Sequence, residues 1–501
     1  MSYFDKLRSG VSMKKFKKSN QKIPVLLVAS PKTDLGFNRA VRVPHLGLNS
    51  IAANLDRSIC DVRVLDLVAA GRNPRHYFQR YITRYRPALV GFSCMTFQYK
   101  ETLALARITK LVDKNIIVVI GGYHPTVAAD RILNNEEDMQ VIDFLSRNEG
   151  EIAFNKLITT LYNGGDIHTV PNLSFIEDGS IVNTPEGDVV NLDQIKPPDR
   201  SVRVIKRGFH VFASPGDVFE TSRGCTSNCD FCSMKIMYGR RFRKYSIERV
   251  VRDIMDARER GAKALFAADD NITLDGPRYL ELCRAIIDAG IQLKFFIQAG
   301  IRGLFRTPDL ISTMVRSGVK WVFLGIENVA DSNLRFLDKS DQFKSDEVFE
   351  VVTELRRRKV LVIGGFIIGN PDDSRETIRA NYEYAKKLKL DFALFFILTP
   401  FPRTEIRDKL MTQGLITNPD DFTRYTCFEA NVKTKYLSSK ELYSLREEMG
   451  YRYPLDSGSC LRLVREFVSH PFYYTLHFGF GQLLNDPLEL FGYLKGLRGK
   501  I

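Results

Sequence analysis

The chain has 501 residues, 44% hydrophobic and 26% charged, with a formal net charge of +14. This is the composition of a folded globular protein and excludes a disordered or collagen-like one, and the length allows roughly two to four domains. The excess of Lys and Arg is spread out, without the basic stripe and stacking aromatics of a nucleic-acid groove, so no nucleic-acid partner is expected.

Residues 1–22 are basic and polar, include Lys14-Lys15-Phe16-Lys17-Lys18, and read as a mobile N-terminus without the apolar centre of a signal peptide. From Ile23 short apolar runs alternate with helical patterns: strands are expected at 24–28, 61–66, 88–93 and 116–120, with a helix over 46–55. Continuous apolar strands separated by helices predict a parallel sheet covered on both faces, here spanning 23–165. Residues 166–215 read as a linker holding a hairpin, with 172–176 and 180–182 flanking Asp178-Gly179, followed by Lys196-Pro197-Pro198-Asp199-Arg200. A second series fills 216–414, with strands expected at 218–220, 264–267, 293–297, 321–325, 360–369 and 392–397. Residues 415–501 read as helical, with a capping box at Ser438 and Glu441. Their last stretch, from Phe472 to Leu497, is aromatic and basic. Such a segment either lies in a membrane interface or caps the preceding unit and lines an apolar substrate pocket, the commoner fate. No apolar run approaches the ~18 residues of a spanning helix.

The eight cysteines are Cys60, Cys94, Cys225, Cys229, Cys232, Cys283, Cys427 and Cys460. Only three cluster, so a disulfide framework is not expected and a reducing, cytoplasmic setting is. Cys225, Cys229 and Cys232 form C-x3-C-x2-C within Ser222-Arg223-Gly224-Cys225-Thr226-Ser227-Asn228-Cys229-Asp230-Phe231-Cys232. Three thiolates this close can hold three irons of one 4Fe–4S cluster, leaving the fourth open to a small molecule. A structural zinc site wants four ligands, and no second pair lies nearby.

The motif, with an aromatic before its third cysteine, closely resembles the radical S-adenosylmethionine (SAM) family. The resemblance implies that the second series is a partial (βα)6 barrel and that SAM chelates the open iron. In a βα barrel functional groups sit at the carboxyl ends of strands. Phe231 belongs to the motif; Asp269 and Asp270 follow the second strand, where the family's acidic residues meet the SAM amino group. A capping role before the helix at Gly276 is the alternative. Glu327, after the fourth strand, falls where a carboxylate binds ribose hydroxyls. Gly369 ends a glycine-rich turn that would let backbone approach adenine. Arg302 suits either the SAM carboxylate or a structural salt bridge. Thr399-Pro400-Phe401-Pro402-Arg403-Thr404 resembles a family P-x-P-G-T segment, with Arg403 where Gly is usual.

The first unit resembles the Rossmann-like cobalamin-binding domain of the cobalamin-dependent radical SAM class. The matching pieces are Pro44-His45-Leu46-Gly47-Leu48, Gly91-Phe92-Ser93-Cys94-Met95-Thr96, Gly121-Gly122-Tyr123-His124-Pro125-Thr126 and Asn148-Glu149-Gly150-Glu151. They give Leu46, Gly47, Ser93, Met95, Thr96, Gly121, Gly122, His124, Glu149 and Gly150 as the expected cobalamin contacts. The D-x-H-x-x-G motif is absent, which implies no histidine below cobalt. His45 and His124 read as turn residues, not metal ligands.

The class implies methylation of an unactivated carbon: a 5′-deoxyadenosyl radical removes hydrogen, and methylcobalamin gives its methyl to the carbon radical. The aromatic tail and basic exterior suggest a lipid-like acceptor reached from the inner face of a membrane, in the manner of a hopanoid C-3 methylase. The alternative is an oxidative cyclase acting on a porphyrin ester; outside enzymes it is an iron–sulfur electron carrier or redox sensor. A one-electron donor such as flavodoxin or ferredoxin is the expected partner. A methylthiotransferase is disfavoured, because no second cysteine trio exists.

Overall fold

The computed structural model describes residues 22–31, 40–212, 214–339 and 344–457. In the first unit the apolar runs become β1 (Ile23–Ala29), β2 (Val41–Arg42), β3 (Cys60–Asp66), β4 (Leu89–Ser93), β5 (Ile117–Gly121), β6 (Phe144–Ser146), β7 (Leu173–Glu177) and β8 (Ser180–Asn183). All but β2 form one sheet in the order β3-β1-β4-β5-β6-β7-β8, whose first five strands are parallel. Successive side chains of a strand face opposite sides. Val25 and Leu27 therefore join Phe154 and Leu157 in one core, while Leu26 and Val28 join Phe78 and Phe92 in the other. Sequence order reverses at β1, between β3 and β4, opening a crevice at the carboxyl ends of the strands where doubly wound sheets bind ligands.

The hairpin forms on Asp178 (φ 47°) and Gly179 (φ 76°), two left-handed residues as a type I′ turn requires. It does not stand in a linker over 166–215: β7 pairs antiparallel with β6 and extends the first sheet. The backbone hydrogen bonds of the β6 edge find partners this way, which a local reading of the hairpin could not reveal.

The second unit contributes β9 (His210–Val211), β10 (Ser214–Phe219), β11 (Ser222–Arg223), β12 (Arg243–Lys244), β13 (Ala264–Ala267), β14 (Lys294–Ala299), β15 (Val319–Glu327), β16 (Leu361–Ile368) and β17 (Phe392–Ile397). β10 and β13 to β17 form six parallel strands in sequence order, and β17 remains an edge, so the barrel is partial. Helices pack its outer face around residues such as Leu282, Leu324 and Leu355. Phe296, Trp321, Leu361 and Ile363 cluster separately with Val41 and Val211. Five short strands, β2, β6, β9, β11 and β12, were not foreseen; β9 pairs with β10, and β2, from the first unit, pairs with β9. The two units thereby share a sheet edge.

The helix Ser439–Asp456 starts on the expected Ser438–Glu441 capping box. It buries Leu442, Leu445, Met449 and Tyr453, and the Tyr453 hydroxyl donates to the carbonyls of Ala385 and Leu390, both at 3.0 Å. The basic N-terminus and the aromatic tail from Phe472 lie outside the described residues. Among the described residues, no helix is long and apolar enough to cross a membrane.

Candidate active site

The cysteine loop hangs from an antiparallel ribbon. Ser222 pairs with Lys244 and Arg223 with Arg243, which clamps both ends of the segment that carries Cys225, Cys229, Cys232 and the helix Met234–Tyr238. The Cys232 N–H donates to the Cys229 carbonyl at 3.1 Å, and the Ser227 N–H approaches Cys225 Sγ at 3.4 Å. Burial pushes the Cys232 thiol up to about 12, with smaller contributions from the two other cysteines, so the three sulfurs share one field. Among the described residues no three His, Cys, Asp or Glu side chains converge as a single-ion site would need. Three thiols on one short loop, one of them approached by a backbone N–H, suit the three protein ligands of a cubane.

The two predicted aspartates have different roles. Asp269, 1% exposed, accepts from the Thr221 N–H (2.9 Å), the Thr221 hydroxyl (2.7 Å) and the Ser222 hydroxyl (2.5 Å). Those three donors leave it holding the ribbon, not facing a ligand, which corrects its expected SAM contact. Asp270 accepts from the Gly224 N–H at 3.2 Å. Burial, then the Asp269 carboxylate, pushes Asp270 up to about 7. Glu327 sits at φ 64° and pairs with Lys339, a residue the sequence reading missed. Burial works against the charge of Lys339, but Glu327, Cys229 and Cys232 outweigh it and raise its pKa. Its ammonium lies 5.9 Å from the centre of the Phe231 ring. Arg302 is exposed on the helix Ile301–Arg306, directly after β14. Gly369 does not offer open backbone: a Cβ there would lie 2.8 Å from Leu442 of the C-terminal helix. Its φ of 88° and that packing account for the glycine.

On the first unit the small residues Ser93, Gly121 and Gly122 end β4 and β5, and Met95 stands 41% exposed beside them. A Cβ on Gly122 (φ 97°) would come within 3.2 Å of the Cys94 backbone, so this floor exists only with glycine. The low edge fits the broad, flat face of a corrin. Leu46 and Thr96 are buried; Gly47 lies in the first turn of the helix Leu46–Asn54, whose N-cap His45 accepts from the Leu48 N–H.

Three expected cobalamin contacts are placed elsewhere. A Cβ on Gly150 would meet Ile51 at 2.8 Å, so this glycine serves helix packing. Glu149 pairs with Arg223 (2.8 Å) and Arg243 (2.7 Å) of the cysteine-loop ribbon. His124, 1% exposed, packs between the rings of Tyr99 and Phe422, at 4.4 Å and 5.4 Å between centres.

Burial, helped by Arg131, pushes the His124 imidazole down to about 3. The unfolded chain takes up a proton near pH 6.5 that the folded chain refuses, so stability falls as pH drops below 6.5 toward 3. For one group the slope is at most about 1.4 kcal/mol per pH unit. His124→Phe, which keeps the aromatic packing, is expected to flatten the acid side of a urea-midpoint profile between pH 6.5 and 5. An unchanged slope would assign the acid sensitivity to another group.

The two edges meet. The Tyr123 hydroxyl donates to Met234 Sδ at 2.6 Å, and Tyr238, Asp270 and Cys232 add to burial in raising its pKa. Tyr123 and Arg223 were invisible as site residues, because Met234 for the one and Glu149 and Glu151 for the other lie far away in sequence.

Comparison with known proteins agrees with this architecture. Residues 33–158 match the model of the B12 binding domain, and residues 219–385 that of the Radical SAM superfamily. An uncharacterised methyltransferase of Pyrococcus horikoshii is 28% identical over 428 residues, covering 85% of this chain and 91% of that protein. The hopanoid C-3 methylase of Methylococcus capsulatus is 27% identical over 368 residues, covering 73% and 68%. The anaerobic magnesium-protoporphyrin IX monomethyl ester cyclase of a Synechocystis strain is 27% identical over 330 residues, covering 65% and 64%. The fold matches the radical SAM methyltransferase TsrM of Kitasatospora setae at TM-score 0.64 and 17% identity, covering 80% of this chain and 76% of that one. The chain thus carries a segment matching the B12 binding domain followed by one matching the Radical SAM superfamily.

Proposed function

We propose that this protein is a cobalamin-dependent radical SAM methyltransferase acting on an unactivated carbon. The observation that carries the reading is the contact of the two cofactor edges, with Tyr123 of the first unit against Met234 of the cysteine loop. When bound, the cluster supplies the electron that cleaves SAM, and cobalamin supplies the methyl group.

Cys225, Cys229 and Cys232 would hold three irons, with Phe231 between the last two in sequence and Lys339 balancing thiolate charge. Asp270 would take the SAM amino group, and Arg302 its carboxylate. Lys339 occupies one oxygen of Glu327, and the other would serve the ribose hydroxyls. Ser93, Met95, Gly121 and Gly122 would seat cobalamin, with Leu46, Gly47 and Thr96.

A lipid-like acceptor of the hopanoid type is the first class to test, drawing on one relative at 27% identity. The cyclase relative supports a second reading, oxidation of a porphyrin ester. Flavodoxin or ferredoxin would supply the electron. The deciding experiment reconstitutes the protein anaerobically with iron, sulfide and hydroxocobalamin, then adds SAM, reductant and a hopanoid extract or a porphyrin ester. Formation of 5′-deoxyadenosine and S-adenosylhomocysteine with a methyl gain in substrate mass supports methylation. Deoxyadenosine with substrate oxidation and no S-adenosylhomocysteine transfers the assignment to the cyclase. Cys229→Ala is expected to abolish SAM cleavage while cobalamin stays bound, because the two sites lie on different units; a folded variant that loses both would contradict this division.

A further inference from the structure

Beside the corrin edge, the junction of the two units forms a half-open cavity of about 570 Å³ whose wall includes Thr126, Asp130, Arg131, Arg147, Arg403 and Arg407. Four arginines face one aspartate among these residues. Two of the four are committed elsewhere. Arg131 pairs with Asp420 at 2.8 Å, and Arg407 donates to the carbonyls of Pro400 and Pro419 and to the Tyr425 hydroxyl.

Arg147 and Arg403 differ. Among the described residues neither forms an ion pair. Arg147 Nη2 donates to the carbonyls of Leu173 (3.2 Å) and Thr184 (2.6 Å), and its Nε is buried with no acceptor. Arg403 Nη1 donates to the Thr126 carbonyl at 3.1 Å, across the junction. Burial lowers the pKa of Arg147, Glu186 and Asp130 work against that, and Arg403 adds a smaller lowering. Arg403 also stands at φ 62°, a conformation that disfavours every side chain but glycine and a few small polar ones. An arginine in that conformation is held there at a cost, and such strain concentrates where a site needs a particular group. Arg403 further lines the neighbouring cavity of about 940 Å³, which borders Glu149 and Tyr238 of the cofactor junction.

We propose that Arg147 and Arg403, one from each unit, clamp an oxyanion of the substrate, a phosphate or carboxylate, beside the site of methyl transfer. This deepens the methyltransferase reading and rests on it for the word substrate. The planar guanidinium matches both groups by paired charge-assisted hydrogen bonds. The acceptor is then an amphiphile or metabolite with an acidic head, the group that two guanidiniums lining one cavity match. The carbon to be methylated lies toward the corrin edge, and the charged end fixes its distance.

The test needs no turnover, so its outcome is separate from that of the methylation assay. Full-length protein loaded with oxidised cluster and hydroxocobalamin is titrated with inorganic phosphate and followed by phosphorus NMR line width. Wild type is expected to bind. Arg147→Gln and Arg403→Gly are each expected to weaken binding about tenfold or more, the effect of losing a charge-assisted hydrogen bond. Arg403→Gly folds readily, because glycine suits the backbone there, and iron content and cobalamin affinity stay unchanged in both variants. Displacement of phosphate by less acetate assigns the clamp to a carboxylate, and resistance to acetate assigns it to a phosphate. Absence of phosphate binding by wild type, or equal binding by the variants, overturns the proposal. So does a parallel loss of cobalamin affinity, which would give the arginines to the cofactor's own nucleotide phosphate.

Discussion

Replacing Arg223 with glutamine is expected to destabilise the protein by about 3–5 kcal/mol, the usual result of removing one partner from a buried ion network. Arg223 is 6% exposed and reaches Glu149 at 2.8 Å, Glu151 at 2.8 Å and Glu220 at 2.7 Å. Burial opposes its charge, but Glu220 and Glu151, with Tyr245, outweigh burial and raise its pKa well above the ordinary value. Glutamine would leave those carboxylates facing a neutral amide; Arg243 relieves only Glu149, and the Ser50 hydroxyl only Glu151. Because Glu149 and Glu151 belong to the first unit and Arg223 to the cysteine-loop ribbon, the same change loosens the junction of the two cofactor edges. Urea unfolding of the cluster-free chain measures the loss, and cobalamin affinity reports the loosening. Adding Glu151→Gln should restore part of the stability by removing one of the stranded charges. A loss below about 1 kcal/mol would mean that water or a rearranged partner answers the carboxylates.

The contrast between what the sequence reveals and what it hides follows from range. Apolar runs such as Ile117–Gly121 and Leu361–Ile368 announce themselves, since a parallel strand buried on both faces needs no alternation. The cysteine triplet is legible because its spacing is itself the chemistry. Asp269 and Asp270 are harder. They are adjacent, and only the three donors from Thr221 and Ser222 decide which one is closed off. Glycines pose the same problem: Gly150 and Gly369 do permit close approach, but to Ile51 and Leu442, not to a cofactor. The strands β2, β9, β11 and β12 have two residues each, too few for any periodicity. Lys339 joins Cys229 and Cys232 across more than a hundred residues, and nothing in its neighbourhood marks it.

Changing Gly224 to alanine is expected to empty the cluster site while leaving the cobalamin edge intact. Gly224 immediately precedes Cys225 and adopts φ 82°, and a Cβ there would lie 2.2 Å from the Arg241 carbonyl oxygen. Left-handed backbone costs alanine roughly 1–2 kcal/mol by itself, a loss the fold could absorb. The collision is the larger problem, because its partner is backbone. Arg241 sits on the returning arm of the loop, two residues before Arg243, so relief requires opening the ribbon that sets the spacing of the thiols. The Gly224 N–H would move with it and release Asp270. Anaerobic reconstitution should then give well under the four irons per chain of a complete cluster, with a weak or absent signal in electron paramagnetic resonance after reduction and normal uptake of hydroxocobalamin. Gly239→Ala separates the two causes. Gly239 also has positive φ, at 67°, but nothing lies within 4 Å of its Cβ position, so that variant meets only the backbone cost and should keep its cluster. A Gly224→Ala protein with full iron and an unaltered spectrum would show that the ribbon yields, and that the three cysteines tolerate a looser frame than their packing implies.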